Sequence, residues 1–189
     1  MSYAVLIHGS IGSGKTRTCL SLIERLRLEC IPFGGLISIR SYQDKELVGY
    51  DGMDVSSGEM KPLARLRIGV PDRGWFSFGE LKYFFSLQGF NWANDVLMRT
   101  INCESAPRIL FADEFGRLEK AGLGIYTGVM KVIENVGSGR MIIFTCRDDI
   151  IDVLEGILED NIEGVYKFRP QECTSLWNTI QKHNALFSK

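Results

Sequence analysis

Eight residues near the start, Gly9-Ser10-Ile11-Gly12-Ser13-Gly14-Lys15-Thr16, constrain this chain more than any other feature. A short apolar run, Tyr3 to His8 (YAVLIH), precedes them. In the segment that follows, Cys19, Leu22, Ile23 and Leu26 fall at i, i+3, i+4 and i+7. The first run reads as a buried strand and the second, Lys15 to about Glu29, as an amphipathic helix. Glycines in the loop between them let backbone N–H groups turn inward around a phosphate without Cβ clashes. The helix start adds unpaired N–H donors and a positive dipole end. The loop matches GxxxxGK[ST], the Walker A pattern, without a gap, and the spacing predicts roles. Gly9, Ser10, Ile11, Gly12, Ser13, Gly14, Lys15, Thr16 and Arg17 form the expected nucleotide-binding set, with Arg17 at the rim. Lys15 would reach the β- and γ-phosphates and the Thr16 hydroxyl would ligate Mg²⁺. A dinucleotide fingerprint is excluded, because it needs G-x-G-x-x-G and the glycines here fall at 9, 12 and 14.

The rest of the chain supplies a matching sheet. Residues 35–66 hold short runs separated by turn signals at Gln43-Asp44 and Ser56-Ser57-Gly58, the pattern of an antiparallel meander. Residues 67–90 are aromatic and glycine-rich and give little order, and Asn91 to Cys103 predicts a helix. Alternation returns with RILFAD as a strand, Ile125 to Val136 as a helix and MIIFTC as a strand. Asp148 to Asp160 predicts a helix capped by Asp148, then VYKF a strand and Cys173 to Leu186 a closing helix. Strands alternating with helices imply a parallel sheet covered on both faces, with the meander inserted at one edge. The expected organisation is one α/β domain over residues 1–189.

A second chemical element follows from RILFADE, Arg108 to Glu114. An apolar strand that ends in Asp presents a carboxylate beside the phosphate loop. Asp113 would hold Mg²⁺, normally through a water. Glu114 would orient and help deprotonate an attacking water, the signature of hydrolysis rather than of pure transfer. Arg147 directly follows the strand MIIFTC. Ligands in open α/β sheets lie at the carboxyl ends of the strands, so Arg147 either reaches the γ-phosphate or pairs with Asp148 or Asp149. The expected catalytic set is therefore Lys15, Glu114 and Arg147, and the expected metal set is Thr16 and Asp113. Arg117 and Glu119 either line the same loop or pair with each other. His8 is expected to pack under the loop. Trp75, Phe76, Phe78, Phe84, Phe85, Phe90 and Trp92 read mostly as core, with room for one to stack on a base.

Composition removes several other classes. The formal net charge of −1 argues against a broad nucleic-acid or anionic-membrane footprint. Five cysteines without CxxC spacing, and two histidines, argue against zinc and fit scattered, mostly buried thiols in a reducing compartment. The start, MSYAVLIHGS, lacks the basic region and apolar length of a signal peptide, and no run is long enough to span a membrane. The expected location is cytoplasmic, with a nucleoside triphosphate as partner and no protein partner legible.

These segments together resemble a small nucleoside-triphosphatase family known from thermophiles and from a cancer-related animal relative. The phosphate loop at the N-terminus, GGLISIR, Gly49-Tyr50, Gly74-Trp75 with Phe78, and ADEFGRLEK carry the likeness, with Asp113, Glu114, Gly116 and Glu119 matching position by position. MIIFT followed by Arg147 also fits. The resemblance spans about residues 1 to 170 and implies a three-layer P-loop fold with a RecA-like (ASCE) sheet. It further implies Mg²⁺-dependent hydrolysis of nucleoside triphosphates with broad choice of base. Two departures stand out: Ser38-Ile39-Arg40 replaces the family's Thr-Glu-Glu stretch, and Leu47 replaces a basic residue. Two rival readings share the loop. One is a small-molecule or nucleotide kinase, whose arginine lid would fall at Arg65, Arg67 and Arg73. The other is a nucleotide-dependent switch with slow hydrolysis that docks through the meander.

Overall fold

A computed structural model describes residues 2–69, 72–103 and 107–186. In chain order the elements are β1 (Tyr3–His8), α1 (Lys15–Leu28), β2 (Phe33–Gln43), β3 (Glu46–Asp54), β4 (Met60–Leu66), β5 (Trp75–Ser77) and β6 (Tyr83–Ser86). They continue with α2 (Leu87–Asn102), β7 (Ile109–Phe115), α3 (Arg117–Lys120), α4 (Tyr126–Asn135), β8 (Met141–Cys146), α5 (Ile151–Leu158), β9 (Gly164–Phe168) and α6 (Cys173–Leu186). A short 3₁₀ turn, Pro170–Glu172, precedes α6.

All strands join one sheet in the order β5-β6-β4-β3-β2-β7-β8-β1-β9. From β2 to β9 neighbouring strands run parallel, and from β2 to β5 they run antiparallel. The parallel strands alternate their side chains between two apolar layers. Ala4, Leu6, Leu110, Ile142 and Phe144 join the layer that holds Val96, Leu97, Val129, Val132 and Leu154 of α2, α4 and α5. Val5, Ile7, Ile109, Phe111 and Ile143 join the layer that holds Leu22, Leu26, Leu176 and Ile180 of α1 and α6. Burial on both faces explains why these strands read as unbroken apolar runs. The backbones of β2 and β7 also approach closely. A Cβ at Gly35, where φ is +107°, would lie 2.2 Å from the Phe111 carbonyl oxygen.

Several expectations need correction. The meander is a continuation of the main sheet, with β2 belonging to both halves. Residues in the 67–90 stretch form the β5–β6 hairpin, pairing Trp75 with Ser86, although positions 70 and 71 lie outside the described residues. These strands escaped detection because they are only three and four residues long and Tyr83-Phe84-Phe85 lacks alternation. Helix α2 starts at Leu87, four residues early, because the Ser86 hydroxyl caps it by accepting the Gly89 N–H at 3.0 Å. Helix α5 starts at Ile151 rather than at Asp148, whose carboxylate bonds elsewhere. Only Cys19 and Cys146 are buried; Cys30, Cys103 and Cys173 are exposed, and none of the five is in a disulfide.

Candidate functional site

The carboxyl ends of β1, β7 and β8 meet at one cleft of about 1030 Å³, whose far wall is the meander. The loop between β1 and α1 forms its floor. Gly12 and Gly14 have φ of +79° and +99°, which a side chain would resist, and Gly14 is the residue on which α1 begins. Lys15 Nζ donates to the carbonyls of Gly9 and Ser10, at 2.9 Å each, so the ammonium is held under the loop it serves. The Ser13 hydroxyl is buried and has no hydrogen-bond partner. Such an atom fits a site that awaits a polar ligand.

Asp113 is buried and accepts three hydrogen bonds. Thr16 Oγ1 donates to Oδ2 at 3.1 Å, the Ser38 N–H donates to Oδ2 at 3.0 Å, and the Thr145 hydroxyl donates to Oδ1. Burial pushes its pKa up, while these donors and the nearby Lys15 charge pull it down; the net direction is up. Thr145 also accepts the Glu114 N–H at 2.9 Å, which ties β8 to the end of β7. Sequence reasoning missed Ser38 and Thr145. The signal for Thr145 was present: it is the lone hydroxyl inside MIIFTC, beside the strand that ends in Asp-Glu. Nothing in the sequence marked Ser38, because it acts through its backbone.

Glu114 sits at a break in the β7–β8 register, with φ of +69°. A positive φ is uncommon for glutamate and costs about 1–3 kcal/mol. Bulges of this kind re-aim side chains. The Glu114 side chain lines the cleft. It is open to solvent by area, yet protein surrounds it, and that enclosure followed by the Asp113 charge pushes it up to about 7. Glu119, five residues on, has a different role. It is buried and accepts the Gly116 N–H at 2.9 Å and the Ile125 N–H at 3.0 Å, pinning the loop that leaves β7. It does not pair with Arg117, which is exposed and lines the cleft.

Arg147 lines the cleft edge but forms a two-bond fork with Asp149, at 2.9 and 3.0 Å. His8, half-buried at the end of β1, shares Asp148 with Arg169 at 2.8 Å each. Arg17 is exposed on the other rim, where Pro170, Gln171 and Cys173 also lie. Of the aromatic residues, Phe84, Phe85 and Trp92 are buried, and Phe85 and Phe90 face the cleft. Arg65 is fixed to Asp51 at 2.5 Å within the sheet, which removes it from a mobile lid. Among the described residues no helix is long and apolar enough to cross a membrane.

The chain belongs to the NTPase family, an enzyme class of α/β nucleoside-triphosphatases, whose sequence model matches residues 4–181. The chain is similar to the nucleoside-triphosphatase THEP1 of Pyrobaculum calidifontis, with 28% identity over 132 residues, 69% of this chain and 67% of that protein. It is similar to the Pyrobaculum islandicum protein of the same name, with 30% identity over 129 residues, 68% of this chain and 67% of that one. The solution structure of a human cancer-related nucleoside triphosphatase shares the fold, with a TM-score of 0.73 and 21% identity over 96% of this chain and 98% of that one.

Proposed function

We propose that this cleft binds a nucleoside 5′-triphosphate with Mg²⁺ and hydrolyses it to the diphosphate and phosphate, within a RecA-like P-loop architecture. One observation carries the reading: the Thr16–Asp113 hydrogen bond joins the end of the phosphate loop to the end of β7, and the next residue, Glu114, is turned into the cleft by a strained backbone. The two oxygens are 3.1 Å apart. Held by this bond, the Thr16 hydroxyl would ligate the ion directly, and the Asp113 carboxylate would hold it through a water. No group of three or more His, Cys, Asp or Glu could cage a metal among the described residues. That suits an ion completed by water and phosphate oxygens. When bound, Mg²⁺ would neutralise charge on the β- and γ-phosphates.

The residues divide the remaining work. Gly9 to Gly14 offer backbone N–H groups and the Ser13 hydroxyl to the phosphates, and Lys15 contributes positive charge. Glu114 receives a proton from water as its oxygen bonds to the γ-phosphorus and the bond to the β-bridging oxygen breaks. A group near 7 suits that exchange at neutral pH. Pro170 lies 3.9 Å from where a Cβ on Gly14 would be, offering an apolar surface for a base at the rim shared with Arg17. A surface without a donor–acceptor code suits broad base choice. Arg147 would have to leave Asp149 to reach a phosphate, so we assign it a lesser role.

The test is Mg²⁺-dependent phosphate release from ATP, GTP, CTP and UTP, with Lys15→Ala and Glu114→Gln alongside. Release from several nucleotides, lost in both variants, is the expected result. Tight binding without release in the wild type would overturn the reading.

A further inference from the structure

Arg40 stands on β2, two residues beyond Ser38, whose N–H holds Asp113. It is exposed, lines the cleft and has no carboxylate partner among the described residues. Arg65 is committed to Asp51, Arg99 to Asp54, Arg147 to Asp149 and Arg169 to Asp148, while Arg17 of α1 and Arg117 of α3 also line the cleft. Being unpaired is cheap for an exposed guanidinium, which water solvates, so position carries the case. The hydroxyls of Tyr42 and Tyr50 neighbour the group. Tyr50 is braced by Tyr83, their rings edge-on and 5.4 Å apart. Arg40 Nη2 lies 3.9 Å from where a Cβ on Gly12 would be. Its charge also acts on Glu114. Arg40 therefore stands at the rim of the phosphate loop, on the meander side of the cleft that Glu114 also lines.

We propose that Arg40 is a catalytic arginine supplied in cis, its guanidinium binding the γ-phosphate from the meander side of the cleft. The inference rests on nucleoside-triphosphate hydrolysis at this site. As the oxygen of water bonds to the γ-phosphorus and its proton passes to Glu114, the bond to the β–γ bridging oxygen breaks and charge moves onto the leaving diphosphate. Arg40 donates hydrogen bonds to the oxygens of the γ-phosphoryl group as it is transferred and is itself unchanged.

Arg40→Ala and Arg40→Lys test the proposal, each checked for an unchanged melting transition. Steady-state hydrolysis of Mg·ATP and equilibrium binding of ADP and of the β,γ-imido analogue of ATP are measured on both and on wild type. Arginines in this role contribute about 10³–10⁵-fold in other phosphoryl-transfer enzymes, so Arg40→Ala is expected to lower kcat by about 100-fold or more. ADP affinity should stay within about twofold, while the imido analogue loses its advantage over ADP, since only the γ-phosphate contact is gone. Wild type should trap ADP with aluminium fluoride and Arg40→Ala should not; Arg40→Lys should recover part of both losses. A kcat within about threefold of wild type, or equal weakening of ADP and the imido analogue, overturns the proposal. If wild type releases no phosphate, the hydrolase reading fails by itself, and the two binding measurements still decide whether Arg40 touches the γ-phosphate.

Discussion

The two halves of the sheet treat charge differently. On the parallel side the groups at the strand ends are already partnered. Asp113 accepts from Thr16, Ser38 and Thr145, Lys15 donates to two loop carbonyls, Arg147 grips Asp149, and Asp148 serves both His8 and Arg169. Across the cleft, the meander presents Arg40 beside tyrosine hydroxyls, with no carboxylate ion pair among the described residues. The parallel half is preorganised, its charged groups already held in place by neighbours. The antiparallel half keeps a cation free for charge that arrives with the ligand. Glu114 stands between them, and its strained φ of +69° shows where the fold sacrifices local comfort for a direction in space.

Breaking the preorganised half should have the largest effect. Lys15→Ala is expected to abolish tight triphosphate binding, read by calorimetry; retained affinity would mean that the loop amides suffice. Glu114→Gln should keep binding and lose about 100-fold or more in turnover, and turnover close to wild type would remove Glu114 from the mechanism. Glu114→Gly adds a sharper contrast. It should also be inactive, yet melt no lower than Glu114→Gln, because glycine accepts the positive φ.

Glu119 tests the scaffold that leads away from the site. Burial pushes it up to about 7 from its ordinary 4.5, against the pull of its two backbone donors. The native state therefore retains a proton that the unfolded chain releases between pH 4.5 and 7. Its contribution to stability is full below that window and is lost as pH rises through it. Denaturant unfolding across this range should show that slope in wild type and a flatter one in Glu119→Gln. The substitution should also cost about 1–3 kcal/mol at pH 5, because an amide oxygen replaces only one of two acceptors. Equal slopes would rule out Glu119 as the source.

The smallest effects should come from the committed ion pairs. Arg147→Ala should lower kcat less than tenfold, well short of Arg40→Ala; a larger loss would show that Arg147 leaves Asp149 when nucleotide binds. Asp148→Ala should leave the melting temperature unchanged, since exposed pairs contribute little. A clear drop would give the His8–Asp148–Arg169 group a structural role.

How far the sequence reached can be judged from individual residues. The loop from Gly9 to Thr16, the helix after it, and Asp113-Glu114 at the end of an apolar strand were legible because each is a contiguous run. In such runs local geometry and chemistry coincide. Strands β1 and β8 and helix α6 fell where their residues predicted, since burial on both faces, or a clear periodic face, overrides local noise. The β5–β6 hairpin and the start of α2 were not legible. Their strands are too short to show a period, and the α2 cap depends on one serine among several polar residues.

By itself, then, the sequence singled out the candidates for phosphate and proton chemistry, because spacing along one chain fixes what a loop and a strand end can present. The tertiary structure decided their partners. Thr145 and Ser38 hold Asp113 from strands far away in sequence, Asp148 turns from helix cap to ion-pair partner, Arg147 is tied to an acid and Arg40 sits beside tyrosine hydroxyls instead. Those choices depend on which strands lie side by side and on a single break in register at Glu114. Neither distance across a sheet nor a local bulge is written in the spacing of residues along the chain.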